Sequence, residues 1–232
     1  MKFILSGGGL GEKTNSAYQL FANELKAQPV LFIPIADEYC KYEEDLTWFK
    51  KEVKSFNITN IKMITSAEEL SPALLNSIGG IYFQGGNAFL LLHLLKSCQA
   101  FEILKNFINQ EDKIIMGGSA GADIFAKDIS VAEKDDLNII ASDENIVNLQ
   151  DTKGFNVIDN FSLFVHYKVK ERQYDVTEQK VQRLLNQGHK LICLPEETSI
   201  FIDNNKIKVL GTKPAELITK IERKIVNPNE FI

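Results

Sequence analysis

Basic excess is missing from this chain. Lysine and arginine number 26 against 31 aspartates and glutamates, for a net charge of −5, and no long basic run interrupts the sequence. Phosphate backbones and anionic membrane surfaces are held by clustered cations, so neither a nucleic acid nor a membrane is an expected partner. Cysteine is scarce as well: Cys40, Cys98 and Cys193 are odd in number and widely spaced. They form no CxxC or Cys/His pairing, which argues against a disulfide framework or a zinc-type site, and no metal or cofactor is expected. No apolar run reaches the roughly 18 residues that a transmembrane helix needs. The opening MKFILSGGGLGEK holds too short an apolar stretch for a signal peptide and reads as a first buried strand. Also missing are a Pro/Ser-rich linker, an internal repeat and a low-complexity tract. These absences point to a reduced, cytoplasmic protein of 232 residues, folded as one α/β domain over 1–232 and working as a monomer or homodimer.

What is present is a succession of short apolar runs separated by segments of helical period. Residues 2–6, 29–36, 61–65, 79–84 and 113–117 read as strands; 16–28, 43–56, 71–78, 87–97 and 100–110 read as helices. Such alternation predicts βαβ units and a mainly parallel sheet. Runs such as VLFIPI do not alternate with polar residues, as expected of strands covered on both faces. After residue 128 the pattern changes: 155–167 and 190–211 read as strands joined by short turns, with a helix over 171–187 between them. DNNK (203–206) is a hairpin signal.

The fifth strand runs into MGGSAGADIFA (116–126), where Gly117 to Gly121 fit G-x-S-x-G. In a nucleophile elbow the serine occupies a strained turn that only small neighbours permit, and its hydroxyl projects above the sheet edge. A predicted strand before Ser119 and a predicted helix after it supply the context that the motif demands. The Ala120 N–H faces a developing oxyanion in such an elbow, and the helix start adds positive potential.

A serine nucleophile needs a base, and usually an acid to orient that base. Three histidines are available. His93 lies mid-helix in FLLLHLLK and reads as a packed residue; His189 sits in a turn after Gly188. His166 ends the apolar strand FSLFVHY, and strand C-termini are where the sites of open α/β sheets collect, so it is the candidate base. Among acids, Glu196 directly follows the strand before LPEETS and is expected to reach inward while Glu197 faces solvent. Asp135, in the loop EKDD, is second choice. The turn QGGN (84–87) either supplies another oxyanion N–H or serves only as a helix entry with Asn87 as N-cap. SGGGLGE (6–12) has glutamate where a dinucleotide fingerprint needs its last glycine, and reads as a flexible turn.

Together YFQGGNAFLLL (82–92), GGSAGA (117–122), VHY (165–167) and LPEETSI (194–200) resemble the dipeptidase E and cyanophycinase family of serine peptidases, in the family's order and at similar spacing. The resemblance implies a class I glutamine-amidotransferase-like (flavodoxin-like) fold: a mostly parallel sheet with helices on both faces, plus a C-terminal antiparallel hairpin. It implies Ser119 as nucleophile, His166 as base, Glu196 as acid and the amides of Gly86 and Ala120 as oxyanion donors. Asp135 lies near a second acid proposed within the family. Phe-Val-His-Tyr stands here where the family's dipeptidases carry Asn-Pro-His-Phe, and Pro-Glu-Glu where they carry Pro-Glu-Gly, so aspartyl specificity is not carried over. Lys168, Lys170 and Arg172 are candidate cations for an acidic side chain; a solvated start to the following helix is the other reading.

The expected activity is hydrolysis of short peptides through a Ser-His-Glu triad and an acyl-enzyme. An esterase of α/β-hydrolase type would use the order Ser, Asp, His, enlisting Asp159 or Asp175 with His189. A catalytically silent binding protein of the same fold is the third reading.

Overall fold

Prolines bracket the second strand on both sides, and they set its length. Pro29 and Pro34 leave only four residues between them that can join a central ladder, and the strand is Val30–Ile33. The computed structural model describes residues 1–110 and 112–232, the side chain of Arg172 excepted. The strands are β1 (Lys2–Ser6), β2 (Val30–Ile33), β3 (Ile61–Met63), β4 (Gly80–Phe83), β5 (Ile114–Gly118), β6 (Ser162–Phe164), β7 (Leu191–Cys193), β8 (Thr198–Asp203), β9 (Lys206–Gly211), β10 (Ala215–Ile218) and β11 (Arg223–Val226). The helices are α1 (Asn15–Leu25), α2 (Tyr42–Val53), α3 (Pro72–Asn76), α4 (Ala88–Lys96), α5 (Ala100–Ile108), α6 (Ala120–Asp123) and α7 (Tyr174–Asn186).

Seven strands form the main sheet in the order β3-β2-β4-β5-β1-β8-β9. The first five are parallel, while β8 runs antiparallel to β1 and β9 antiparallel to β8. Asn204 and Asn205, both at positive φ, make the two-residue turn between β8 and β9, as the DNNK signal predicts. Apolar residues pointing to one face (Ile4, Phe32, Tyr82, Met116) meet α1 and α2. Those pointing to the other (Leu5, Ile33, Phe83, Ile115) meet α3, α4 and α5. This two-sided burial explains the unbroken apolar runs. On the first face Phe32 and Tyr82 both stack on Phe49 at 4.5 Å between centroids; such pairs add roughly 0.5–1.5 kcal/mol each beyond their buried area.

The expected C-terminal hairpin is β8–β9, joined to the main sheet through β1, and a second, unexpected sheet has the order β11-β10-β7-β6. Its β6–β7 pair is parallel and the other two pairs antiparallel. One side packs on α7 through Phe164, Val181, Leu184, Leu191 and Cys193. The expected strand over 155–167 shrinks to three residues because Asn156, Asp159 and Asn160 adopt positive φ, a conformation that Asn and Asp tolerate.

The helix expected after Ser119 is also cut short, to the four residues of α6. The carbonyls that would continue it are taken by a neighbouring loop: Phe155 N–H donates to Ile124 O and Val157 N–H to Phe125 O. Phe125 is fully buried, against Phe3, Phe83 and Phe155. One helical turn carries little macrodipole, so the positive potential expected there reduces to individual backbone N–H groups.

Candidate active site

Ser119 begins the turn at the carboxyl end of β5 with φ 52° and ψ −122°, a region that non-glycine residues enter only at a cost of about 1–3 kcal/mol. Its neighbours are small by necessity. A β-carbon on Gly117 would meet the Gly121 carbonyl oxygen at 2.1 Å, and one on Gly121 would meet the Phe83 carbonyl oxygen at 2.3 Å. The Ser119 N–H donates to Ser6 O at the end of β1, tying the elbow to the adjacent strand.

His166 stands two residues beyond β6, with φ 50°. Its N–H donates to Gly7 O, and its imidazole lies over Gly8, where a β-carbon would come within 2.3 Å of His166 Cε1. The SGGG segment is therefore a packed seat for the imidazole rather than the flexible turn expected. Gly9 is equally tight, against the Glu196 carbonyl oxygen. Ser119 Oγ lies 2.8 Å from His166 Nε2, and His166 Nδ1 lies 3.2 Å from Glu196 Oε1. A carboxylate can only accept, so Nδ1 carries the proton and Nε2 is left to accept from the serine hydroxyl.

Burial lowers the His166 pKa below the ordinary 6.5, and the hydrogen bond and charge of Glu196 only partly oppose that. For Glu196 itself, burial pushes the pKa up, but Lys13 and His166 together outweigh it and leave the pKa lowered. Lys13 Nζ holds the second carboxylate oxygen at 2.6 Å, a partner for which no sequence signal existed. Glu197 does not face solvent as expected; it is partly buried and pairs with Lys213 at 3.2 Å.

The QGGN turn serves as a helix entry and also lies against the elbow. Asn87 Oδ1 accepts from the N–H groups of Phe89 and Leu90, both at 3.0 Å, capping α4. Gly85 lies against Ser119, where a β-carbon would sit 3.1 Å from that residue's Cβ. Gly86 has φ +145° and no room for a side chain beside Ala36 O. Gly86 and Ala120 thus belong to two turns that meet at the serine.

The other sequence candidates are placed elsewhere. Asp135 accepts from Leu137 N–H and faces Arg183 at 3.7 Å. His189 lies beside the hydroxyls of Ser162 and Ser130, so the Ser, Asp, His order finds no base at Ser119. Asp159 lines a cleft at the opposite end of the sheet, and Asp175 is in the first turn of α7. Lys168 is bound to Glu216 at 3.0 Å and Glu178 at 3.2 Å, within a network that includes Tyr167 and Arg223. Lys170 is exposed, and the Arg172 side chain lies outside the described residues.

Beside Ser119 opens a cavity of about 250 Å³, bounded by Gly8 to Leu10, Asp45, Trp48, Tyr82, Gln84, Gly85 and Gly118. A larger cleft, about 770 Å³, is lined by Met1, Phe3, Asn204 and Asn205 among others. It opens where β1 begins, at the opposite end of the strands from Ser119, whereas the smaller cavity adjoins that serine. Among the described residues no group of three or more His, Cys, Asp or Glu side chains is placed to hold a metal ion, and no helix is long and apolar enough to cross a membrane.

The sequence profile of peptidase family S51 matches residues 3–210, and the chain belongs to that family. It is a peptidase, a hydrolase of peptide bonds. Among individual relatives, the peptidase E of a Nostoc species is 23% identical over 203 residues, 84% of this chain and 77% of that protein. A crystal structure of a putative peptidase E from Listeria monocytogenes EGD-e superposes with a TM-score of 0.69 at 22% identity, covering 90% of this chain and 98% of that one. A peptidase from an acI-B1 actinobacterium superposes with a TM-score of 0.71 at 17% identity, covering 100% and 96%. At these identities the two structures speak to the fold alone.

Proposed function

We propose that this chain is a serine-type peptidase acting on short peptides, dipeptides among them, through an acyl-enzyme. The observation that carries the reading is the unbroken relay from Ser119 Oγ to His166 Nε2 and from His166 Nδ1 to Glu196, at 2.8 and 3.2 Å. Ser119 Oγ attacks the scissile carbonyl carbon while His166 Nε2 takes its proton. The oxyanion forms between the N–H groups of Gly86 and Ala120. The C–N bond breaks as His166 returns the proton to the departing amine. Water then attacks the acyl-serine, delivering its proton to the same nitrogen; the ester C–O bond breaks as that proton passes to Ser119 Oγ, and the carboxylic acid leaves. Glu196 stays ionised throughout and stabilises the imidazolium; Lys13 keeps that carboxylate in place.

Family membership supports hydrolysis of peptides, and the lowered pKa of His166 supports a base that is neutral at neutral pH. Ser119→Ala is expected to fold like the wild type and to lose up to about six orders of magnitude in peptide hydrolysis. A fluorophosphonate probe is expected to label Ser119 in the wild type and nothing in the variant. Unlabelled wild type, or equal cleavage by both proteins, would favour a silent binding protein of this fold.

A further inference from the structure

Two side chains on the wall of the cavity beside Ser119 carry acceptors that nothing satisfies. Gln84 Nε2 donates to Asp45 Oδ1 at 2.7 Å. That bond fixes the amide's orientation, because a carboxylate has no proton to give. It leaves Asp45 Oδ2 and Gln84 Oε1 shielded from water and without a hydrogen-bond partner. A shielded acceptor with no donor costs about 1–3 kcal/mol, and the two side chains that carry them lie on the cavity wall, where a turn of either presents its acceptor to a ligand rich in donors. Burial pushes the Asp45 carboxyl pKa up, Gln84 opposes that, and the charges of Asp37 and Glu44 push it further up, with Lys41 opposing. No described residue lining the cavity is a cation, and Lys168 is already neutralised by Glu216 and Glu178. The remaining walls include Leu10, Trp48 and Tyr82, surfaces that suit an aliphatic stem or the plane of a guanidinium.

We propose that this cavity receives the side chain of a lysine or arginine, the residue that supplies the scissile carbonyl, with its charged head on Asp45 and Gln84. The proposal rests on the acyl-enzyme reading above, which places that residue's carbonyl at Ser119. An α-ammonium group alone would leave most of a cavity of about 250 Å³ unfilled, whereas a four-carbon stem with a charged head occupies more of it. The specificity is then opposite to that of an aspartyl dipeptidase.

The test compares Lys-Leu, norleucyl-leucine and Asp-Leu, which share a free α-amine and differ in the side chain. Calorimetry on Ser119→Ala reads binding without turnover. Lys-Leu is expected to bind at least about tenfold more tightly than norleucyl-leucine, and Asp-Leu more weakly than either. Adding Asp45→Asn is expected to bring the first ratio close to unity, and Asp45→Lys to turn the preference toward Asp-Leu. Equal affinity for Lys-Leu and norleucyl-leucine, no binding of Lys-Leu at millimolar concentration, or a preference that survives Asp45→Asn overturns the proposal. Hydrolysis of the same dipeptides by the wild type is a separate readout. Binding with the expected order but no cleavage and no probe labelling would count against the serine mechanism alone, and cleavage without lysine preference against the cavity assignment alone.

Discussion

At the scale of single residues, the site depends on four backbone positions as much as on three side chains. Ser119 and His166 both hold positive φ without being glycine, and Gly8 and Gly86 are glycines because a side chain would strike the imidazole or Ala36. The pH dependence follows from the surroundings of His166. Its pKa is lowered chiefly by burial, so the neutral, proton-accepting form survives to more acid pH than for a free imidazole. The acid limb of kcat/KM against pH is therefore expected below the ordinary value of 6.5. Glu196→Gln removes the group that raises this pKa, and is expected to move the limb further to the acid side while lowering kcat. A limb above 6.5 in the wild type, or one that Glu196→Gln shifts upward, would contradict the arrangement. Ser119, His166 and Glu196 stood out as candidates in the sequence because each lies within three residues of the end of an apolar strand. Lys13, Asp45 and the packing role of Gly8 were not, since those contacts join distant parts of the chain and no local pattern encodes them.

Elements act by bringing turns to one edge. The N-cap of α4 illustrates this: Asn87 caps the helix with its oxygen, and its amide donates to Glu38 Oε1 and to Glu144 O, both at 2.8 Å. Asn87→Ala is expected to cost about 1–2 kcal/mol of stability by urea unfolding through loss of the cap. It should also lower kcat, because the turn holding Gly85 against Ser119 loses its anchor. Unchanged activity with the stability loss would mean that the GGN turn is held by other bonds. Most elements could be read from periodicity and caps; Ser71 and Pro72 open α3 as their types predict. The two strands after residue 211 could not. Three of the four residues of β11 are exposed, among them Arg223 and Lys224, a charged edge that guards against further pairing and at the same time hides the strand's apolar pattern.

At the scale of the whole molecule, two carboxyl groups act on each other near the start of α4. Burial pushes the Asp143 pKa up to about 6, the Ala88 N–H opposes this, and Glu38 adds to it. Asp123, fully enclosed, is pushed well up by burial and then by the charge of Asp143. A carboxyl whose folded pKa exceeds its unfolded value binds its proton more tightly when folded. Its contribution falls as pH rises from about 4 to about 6 and is constant above. For Asp143 that is roughly 3 kcal/mol at most. Asp143→Asn keeps an oxygen for Ala88 N–H and removes the charge. Between about pH 4 and about pH 7 it is expected to lose roughly 2–3 kcal/mol less than the wild type in urea unfolding; identical losses would show that Asp143 ionises without penalty. The larger architecture of a mainly parallel sheet was legible from alternating elements, whereas the second sheet was not, because β6 and β7 contribute only three residues each.

The end of β1 has one more consequence. Ser6 O and Gly7 O receive the N–H groups of Ser119 and His166, and the Gly7 N–H is taken by Thr198 O. One short stretch of backbone thus acts as a splice between segments more than a hundred residues apart in sequence. No fragment from either half of the chain can carry a working relay. During refolding, far-UV signal from the helices should return before activity does, so recovered turnover is the stricter gauge of a native chain.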